Sequence, residues 1–296
     1  MKNKNINAWE KISKDYAKII VPNRPSPDDC SLYGKLINRS LRNKTVPKIL
    51  VLGSTPELRR ILYTSEFTKN AKVFCIDINS AMYSGMENFI MNSSHFNEKF
   101  IMGNWLDTKF KTDYFDLVVG DEIICNIPYD LHAILFNEIK RILKYNGNFI
   151  TRHNFYIDAD KRNSVKKILF ELAQKIFTGE YDFQYAANLL YVKLFYLSGW
   201  KFPDNNSMQN HSKLAGKEFK SFKDHKLNKI IKELISIYDN NFAKMAGNYK
   251  WYLLSEKDSE KELKDHFTIN SKVYAGDYFS VKNSPIYSLK KLYGKK

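Results

Sequence analysis

Three cysteines are all that this 296-residue sequence contains: Cys30, Cys75 and Cys125, far apart and without the spacing of a metal site. That scarcity excludes a disulfide framework or a cysteine-ligated zinc module and makes a reducing cytoplasm the expected compartment. Long apolar runs are missing as well. Crossing a bilayer takes ~20 consecutive apolar residues, and nothing approaches that length, so no membrane role is expected. The opening stretch, MKNKNINAWEKISKDYAK, is polar throughout and is not expected to be a secretory leader. Arginine, the better reader of bases and phosphates, is sparse. The glycine-rich loop that receives a dinucleotide is absent: the turn at Gly53-Ser54-Thr55-Pro56-Glu57 has a single glycine.

Apolar content is ample, with 44% hydrophobic and 15% aromatic residues, enough to bury a large core in one elaborated domain spanning 1–296. The formal net charge is +15. A basic face binds nucleic acid through counterion release, but here the excess is lysine dispersed through helical patterns. A solvated surface is therefore favoured over a polyanion partner, and nucleic acid stays the lesser possibility.

Along the chain, Ser26-Pro27-Asp28-Asp29 has the form of a helix start: a serine cap, a proline in the first turn, then two acids at the positive end of the dipole. Leu32, Tyr33, Leu36, Ile37 and Leu41 then recur on one face. Five short apolar runs follow, at Lys48–Leu52, Lys72–Asp77, Phe100–Met102, Phe115–Gly120 and Asn148–Thr151. Helical patterns separate them at Pro56–Ser65, Ser80–Asn92 and Asp130–Leu143, the last expected to stop at Tyr145-Asn146-Gly147. Thr55 or Ser54 is the expected cap of the helix opened by Pro56. Alternation of this kind predicts a parallel sheet with helices on both faces, whose ligands lie beyond the carboxyl ends of the strands.

Those ends carry polar residues in order. Gly53 closes the first strand in a tight turn suited to a cofactor without a pyrophosphate. Asp77 ends the second, where an acid can accept bonds from ribose hydroxyls; Asn79 and Ser80 are better placed to cap the next helix. Asn104 and Trp105 follow the third, offering an adenine contact through a side chain, a backbone amide or a ring face. Asp121 and Glu122 follow the fourth, and Arg152 and His153 the fifth. Asn126-Ile127-Pro128-Tyr129 looks like the Asn-Pro-Pro-Tyr signature of amine-directed methyltransferases. It stands past the strand end, with isoleucine in a proline position, and reads better as a turn.

These motifs together resemble the class I S-adenosylmethionine-dependent methyltransferases over about 48–154. More narrowly, the chain resembles a microbial branch with "RPSPED"-like, "LGVTPEL"-like, "GDWLDLP"-like and "DLVLGDG"-like segments, here RPSPDD (Arg24–Asp29), LGSTPEL, GNWLDTKF and DLVVGDE. The resemblance implies a Rossmann-like, seven-stranded, mostly parallel sheet with a helical lid inserted before the last two strands. An N-terminal helical segment would cover 1–45, a cofactor core 46–157, the lid 158–250 and the closing elements 251–296. It implies S-adenosyl-L-methionine as cofactor and S-adenosyl-L-homocysteine as product. Gly53, with Ser54 and Thr55, would line the methionine moiety, Asp77 the ribose, and Asn104 with Trp105 the adenine. Tyr16, Ile78 and Met82 would complete the cofactor site, Asp121 would lie near the amino group or methyl donor, and Arg24 would hold a carboxylate. The chain departs from the family at Val51, where many members carry an acid, and at Asn104, where aspartate is usual.

Glu122 and His153 are the candidate bases, and no metal constellation is visible. The segment before the closing strands reads as helices at Arg162–Phe177, Phe183–Ser198 and Lys217–Ala246. Aromatics recur in the middle one, so Tyr185, Tyr191 and Phe195, with Arg152, are candidate substrate residues of a lid. Ser255–Phe267 reads as a capped helix, and Phe267–Val273 with Pro285–Leu292 as an antiparallel pair. The favoured function is methyl transfer to a small-molecule substrate. The alternatives are an RNA or protein methyltransferase docking through its basic surface, and a non-catalytic binding domain.

Overall fold

The computed structural model describes residues 10, 13, 14, 16–19, 21–90, 98–156, 163–198, 217, 224–240, 251–278 and 280–292. The chain divides into two compact units, one of residues 21–155 with 254–296, the other of 1–20 with 156–253. The second takes in the segment expected to be the lid and adds the first twenty residues to it.

The first unit begins with α1 (Pro27–Leu41), capped as the sequence predicts: Ser26 accepts from the Asp29 amide while Asp29 accepts from the Ser26 amide. β1 (Lys48–Leu52), β2 (Lys72–Asp77), β3 (Glu98–Met102), β4 (Phe115–Asp121) and β5 (Leu143–Arg152) alternate with α2 (Pro56–Thr64), α3 (Ser80–Glu87) and α4 (His132–Ile142). α8 (Glu256–His266), β6 (Phe267–Val273) and β7 (Ile286–Lys291) close the unit. The seven strands run in the order β3-β2-β1-β4-β5-β7-β6. β1 to β5 are mutually parallel, and β7 lies antiparallel to both β5 and β6.

Period-two burial puts apolar residues on both faces of the central strands. In β1, Leu50 and Leu52 join one core with Leu135, Phe136 and Ile139 of α4 and Leu263 of α8. Ile49 and Val51 join the opposite core with Tyr33, Ile37 and Leu41 of α1 and Leu58 and Leu62 of α2. Val51 is thus fully buried among apolar side chains.

Two local expectations are corrected. The helix expected over Asp130–Leu143 ends at Ile142, and Gly147 lies inside β5 rather than at a helix stop. A Cβ at Gly147 would come within 2.9 Å of the Leu143 side chain and 3.0 Å of the Phe115 carbonyl oxygen. The glycine therefore lets β5 press against β4 where their register shifts between Phe115 and Leu117. At α2, Thr55 makes no capping bond, and Ser54 turns its hydroxyl to Asp77 instead.

In the second unit, α5 (Val165–Phe177), α6 (Phe183–Ser198) and α7 (His225–Tyr238) pack against one another. Ser164 caps α5 and Asp224 caps α7. The buried side chains are chiefly aliphatic: Ile168, Leu169 and Leu172 from α5, Leu190 and Val192 from α6, Ile231 and Leu234 from α7. Parts of the helices expected at Arg162–Phe177, Ser80–Asn92 and Lys217–Ala246 lie outside the described residues. No helix among the described residues is long and apolar enough to cross a membrane.

Candidate active site

Gly53 follows β1 with φ +81°, a conformation that glycine alone adopts freely. A Cβ there would stand 3.3 Å from the Trp105 indole, so a side chain would press into the turn. Trp105 is fixed by its ring N–H, which donates to the Ile76 carbonyl at 3.0 Å. Asp77, at the end of β2, accepts the Ser54 hydroxyl at 2.8 Å on Oδ2 and the Asn79 amide at 3.0 Å on Oδ1. Burial raises its carboxyl above the usual range, opposed by the bonds from Asn79 and Ser54. Asn79, as predicted, caps α3 by accepting from the Ala81 and Met82 amides. Met82 is buried, while Ile78 is 41% exposed beside Asp77. Asn104 is exposed and folds back to accept from the Leu106 amide.

The ends of β4 and β5 hold a buried ionic cluster. Arg152 is fully buried. Its Nε and Nη2 donate to Asp121 at 2.9 Å each, Nη2 also to Glu122 Oε1 at 3.0 Å, and Nη1 to Asp29 Oδ2 at 3.2 Å. One guanidinium thus faces three carboxylates. Burial works against its charge, yet the three acids hold Arg152 well above its ordinary range. Tyr33 joins the cluster, its hydroxyl 3.1 Å from Asp121 Oδ1 and accepting the Arg152 amide at 2.7 Å.

Glu122 is the unusual member. Its φ is +54°, in the left-handed region, which costs a non-glycine residue roughly 1–3 kcal/mol. The position is over-determined: its amide donates to the Arg152 carbonyl, and its own carbonyl accepts from Cys125 Sγ and Asn126 Nδ2. Gly120 supports this turn, because a Cβ there would stand 2.3 Å from the Ile123 side chain. Oε1 of Glu122 accepts from Arg152 and, at 2.6 Å, from Asn154 Nδ2. Burial pushes the carboxyl up to about 7, Arg152 pulling against it and Asp121 adding to it.

The other candidates fall elsewhere. His153, the first residue past the end of β5, is buried with Nε2 3.0 Å from the Ser259 hydroxyl of α8. Burial lowers it to about 3, so the ring is neutral. Arg24 donates to Glu57 Oε1 at 2.8 Å, at the start of α2. In the second unit, Tyr16 lies buried on a short 3-10 turn, Tyr185 is 41% exposed, and Tyr191 is buried with its ring 6.4 Å from that of Trp251. Phe195 lies on α6, and its side chain is outside the described residues. Asn154 and Asp29 are central to the cluster, yet sequence reasoning does not single them out as site residues. Asn154 follows His153 directly, and the place of Asp29 in a capping box gives it a local explanation that hides its link to Arg152.

The donor and acceptor set suits a cationic cofactor. The carboxyl edge of the sheet offers acids at Asp77, Asp121 and Glu122, a close-approach glycine at Gly53 and no phosphate-binding glycines. A sulfonium cofactor with a ribose fits such an edge, whereas a diphosphate would meet carboxylates. Among the described residues, no group of three His, Cys, Asp or Glu side chains could hold a metal ion.

Residues 58–151 match the family model described as a methyltransferase domain. No curated protein matches the chain. Among solved structures, a Rhodobacter sphaeroides protein assigned to the zinc-dependent alcohol dehydrogenases aligns with a TM-score of 0.53 at 13% identity, covering 99% of this chain and 100% of that one. A Pyrococcus horikoshii OT3 protein aligns at 0.48 with 17% identity, covering 94% and 99%. The N-methyltransferase NodS from Bradyrhizobium japonicum WM9, solved with S-adenosyl-L-homocysteine, aligns at 0.45 with 9% identity, covering 96% and 98%. At these identities the first likeness is one of fold alone.

Proposed function

We propose, on the premise that the chain carries a class I S-adenosylmethionine-dependent methyltransferase domain, that it methylates a small-molecule acceptor at the carboxyl edge of the sheet. One observation carries this reading: the sign of the charge there. In a chain of net charge +15, that edge sets Asp29, Glu57, Asp77, Asp121 and Glu122 against Arg24 and Arg152. Such an edge attracts a cation and repels a phosphate backbone.

Gly53 would let the cofactor's amino-acid end approach the backbone, Asp77 would accept from the ribose, and Trp105 with Ile78 would hold the adenine. When bound, S-adenosylmethionine would supply a methyl group on a sulfonium, for transfer to an acceptor lone pair with the carbon–sulfur electron pair left on sulfur. The protein's contribution is positioning, exclusion of water and, at Glu122, a proton acceptor. Arg152 orients Asp121 and Glu122 without reaching a substrate itself. His153, neutral and bonded to Ser259, belongs to the packing of α8.

A second reading has its own observation. Residues 1–20 and 156–253 hold 21 lysines and arginines against 12 acids, so a macromolecule docking on that unit would find a basic surface. RNA binding measured across salt separates the two. The small-molecule reading expects weak binding that vanishes near 0.15 M ionic strength, where the Debye length is about 8 Å. Micromolar affinity at that ionic strength with methylation of the bound RNA would replace it.

A further inference from the structure

Glu122 and Asn154 leave two acceptor oxygens unused. Oε1 of Glu122 takes the bonds from Arg152 Nη2 at 3.0 Å and Asn154 Nδ2 at 2.6 Å, while no described residue donates to Oε2. Asn154 is 3% exposed, its amide nitrogen is spent on Glu122, and its Oδ1 meets no donor. A buried amide carbonyl without a donor is destabilising, so its retention needs a reason. The charge is also unbalanced. Three carboxylates, Asp29, Asp121 and Glu122, share the single guanidinium of Arg152. The remaining neighbours, Tyr33 of α1, Cys125 after β4 and Tyr278 before β7, bring no positive charge. Asp29 Oδ1, fully buried, has no donor either.

We propose that the methyl acceptor is an amine, its N–H groups donating to Glu122 Oε2 and Asn154 Oδ1. This rests on the methyltransferase reading above and names the substrate class for that site. An amine suits the site at each stage of the reaction. It arrives as an ammonium, supplying the missing positive charge. It transfers one proton to Glu122 Oε2, converting carboxylate to carboxylic acid and freeing the nitrogen lone pair, and that lone pair takes the methyl. The product is again a cationic ammonium, with one N–H replaced by N–CH3. A phenolate, carboxylate or thiolate acceptor would instead bring a negative charge into a cluster already in excess of it, a repulsion that a low-dielectric site strengthens. Burial holds the Glu122 carboxyl up to about 7, where it exchanges a proton with an ammonium far more readily than an ordinary glutamate.

The test supplies S-adenosylmethionine labelled with carbon-13 in the methyl group to the full-length protein. The acceptors are a panel of primary amines, alcohols, phenols, thiols and carboxylic acids, followed by a deproteinised cell extract. The chemical shift of the transferred methyl carbon identifies the atom that received it. The expected result is a nitrogen-bound methyl, formed at least a hundredfold more slowly by Glu122→Gln, with S-adenosylhomocysteine affinity within threefold of the parent. Label on oxygen, sulfur or carbon overturns the amine proposal and leaves the methyltransferase reading standing. N-methylation that Glu122→Gln does not slow overturns the placement of the amine on Glu122 and Asn154. No transfer to any acceptor, with cofactor binding intact, overturns both.

Discussion

The two units of this chain handle charge in opposite ways. The sheet unit, residues 21–155 with 254–296, has 26 basic and 20 acidic residues, and it buries several of them. Arg59 pairs with Glu98 at 2.7 Å with both side chains buried, and Arg152 holds three carboxylates out of solvent. The helical unit has fewer residues but a larger excess, 21 basic against 12 acidic. Its ion pairs of Lys193 with Glu171 and Lys175 with Glu180 lie partly or largely in solvent. Its core is chiefly Leu, Ile, Val and Ala at helical spacing, with Tyr16, Tyr191 and Tyr238 buried beside them. Burying a charge is costly unless it is paired and hydrogen-bonded, and the sheet unit satisfies that condition both at the start of β3, with Arg59 and Glu98, and at the carboxyl ends of β4 and β5, around Arg152. One unit is thus a scaffold that positions chemistry, and the other is a set of helices built on generic packing.

The largest expected effect breaks that contrast directly. Arg152→Met leaves Asp29, Asp121 and Glu122 without their counter-ion and is expected to cost about 3–5 kcal/mol in urea denaturation. Lys193→Met in the helical unit removes only a half-exposed pair and is expected to cost less than about 1 kcal/mol. Equal losses would mean that the two units do not differ as described.

A smaller effect sharpens the account of the cofactor edge. Asp77→Ala removes the acceptor proposed for the ribose, along with the anchor of Ser54 and Asn79. Affinity for S-adenosylhomocysteine is expected to fall by roughly 1.5–3 kcal/mol, the scale of lost bonds to a charged group. Unchanged affinity in calorimetry would leave Asp77 with a purely local role.

The last prediction concerns the pH dependence that His153 sets. Its pKa falls from an ordinary value near 6.5 to about 3 in the folded protein, so between those values the unfolded chain binds a proton that the native chain does not. The stability it contributes is complete above about 6.5 and is lost as pH falls toward 3, at about 1.4 kcal/mol per pH unit for one proton. His153→Gln should lose less stability than the parent between pH 6.5 and pH 5. A parallel decline in the two proteins would show that His153 takes up its proton while folded.

Local features are the legible ones. The caps at Ser26, Asn79 and Ser255 follow from side chains reaching backbone amides two or three residues on, and each forms as expected. The alternation of strands and helices predicts the sheet, because both periods are written in short windows. Glu122 can be placed at a strand end from sequence, but its partners cannot. Arg152 stands 30 residues from Glu122, and Asp29 stands 123 from Arg152; only the parallel pairing of β4 with β5 under α1 brings them together. Gly147 misleads because a glycine after a helical pattern looks the same whether it ends a helix or relieves a crowded strand. Ser54 looks like a capping residue because its bond to Asp77 spans 23 residues and leaves no local trace.

The central claim is that an acidic, single-glycine edge receives a cationic sulfonium cofactor. Isothermal titration of the full-length protein with S-adenosylmethionine, S-adenosylhomocysteine and NAD tests it most directly. The account predicts saturable binding of both sulfur compounds and none of NAD, whose diphosphate would meet Asp77, Asp121 and Glu122. NAD binding with no response to either sulfur compound would contradict it.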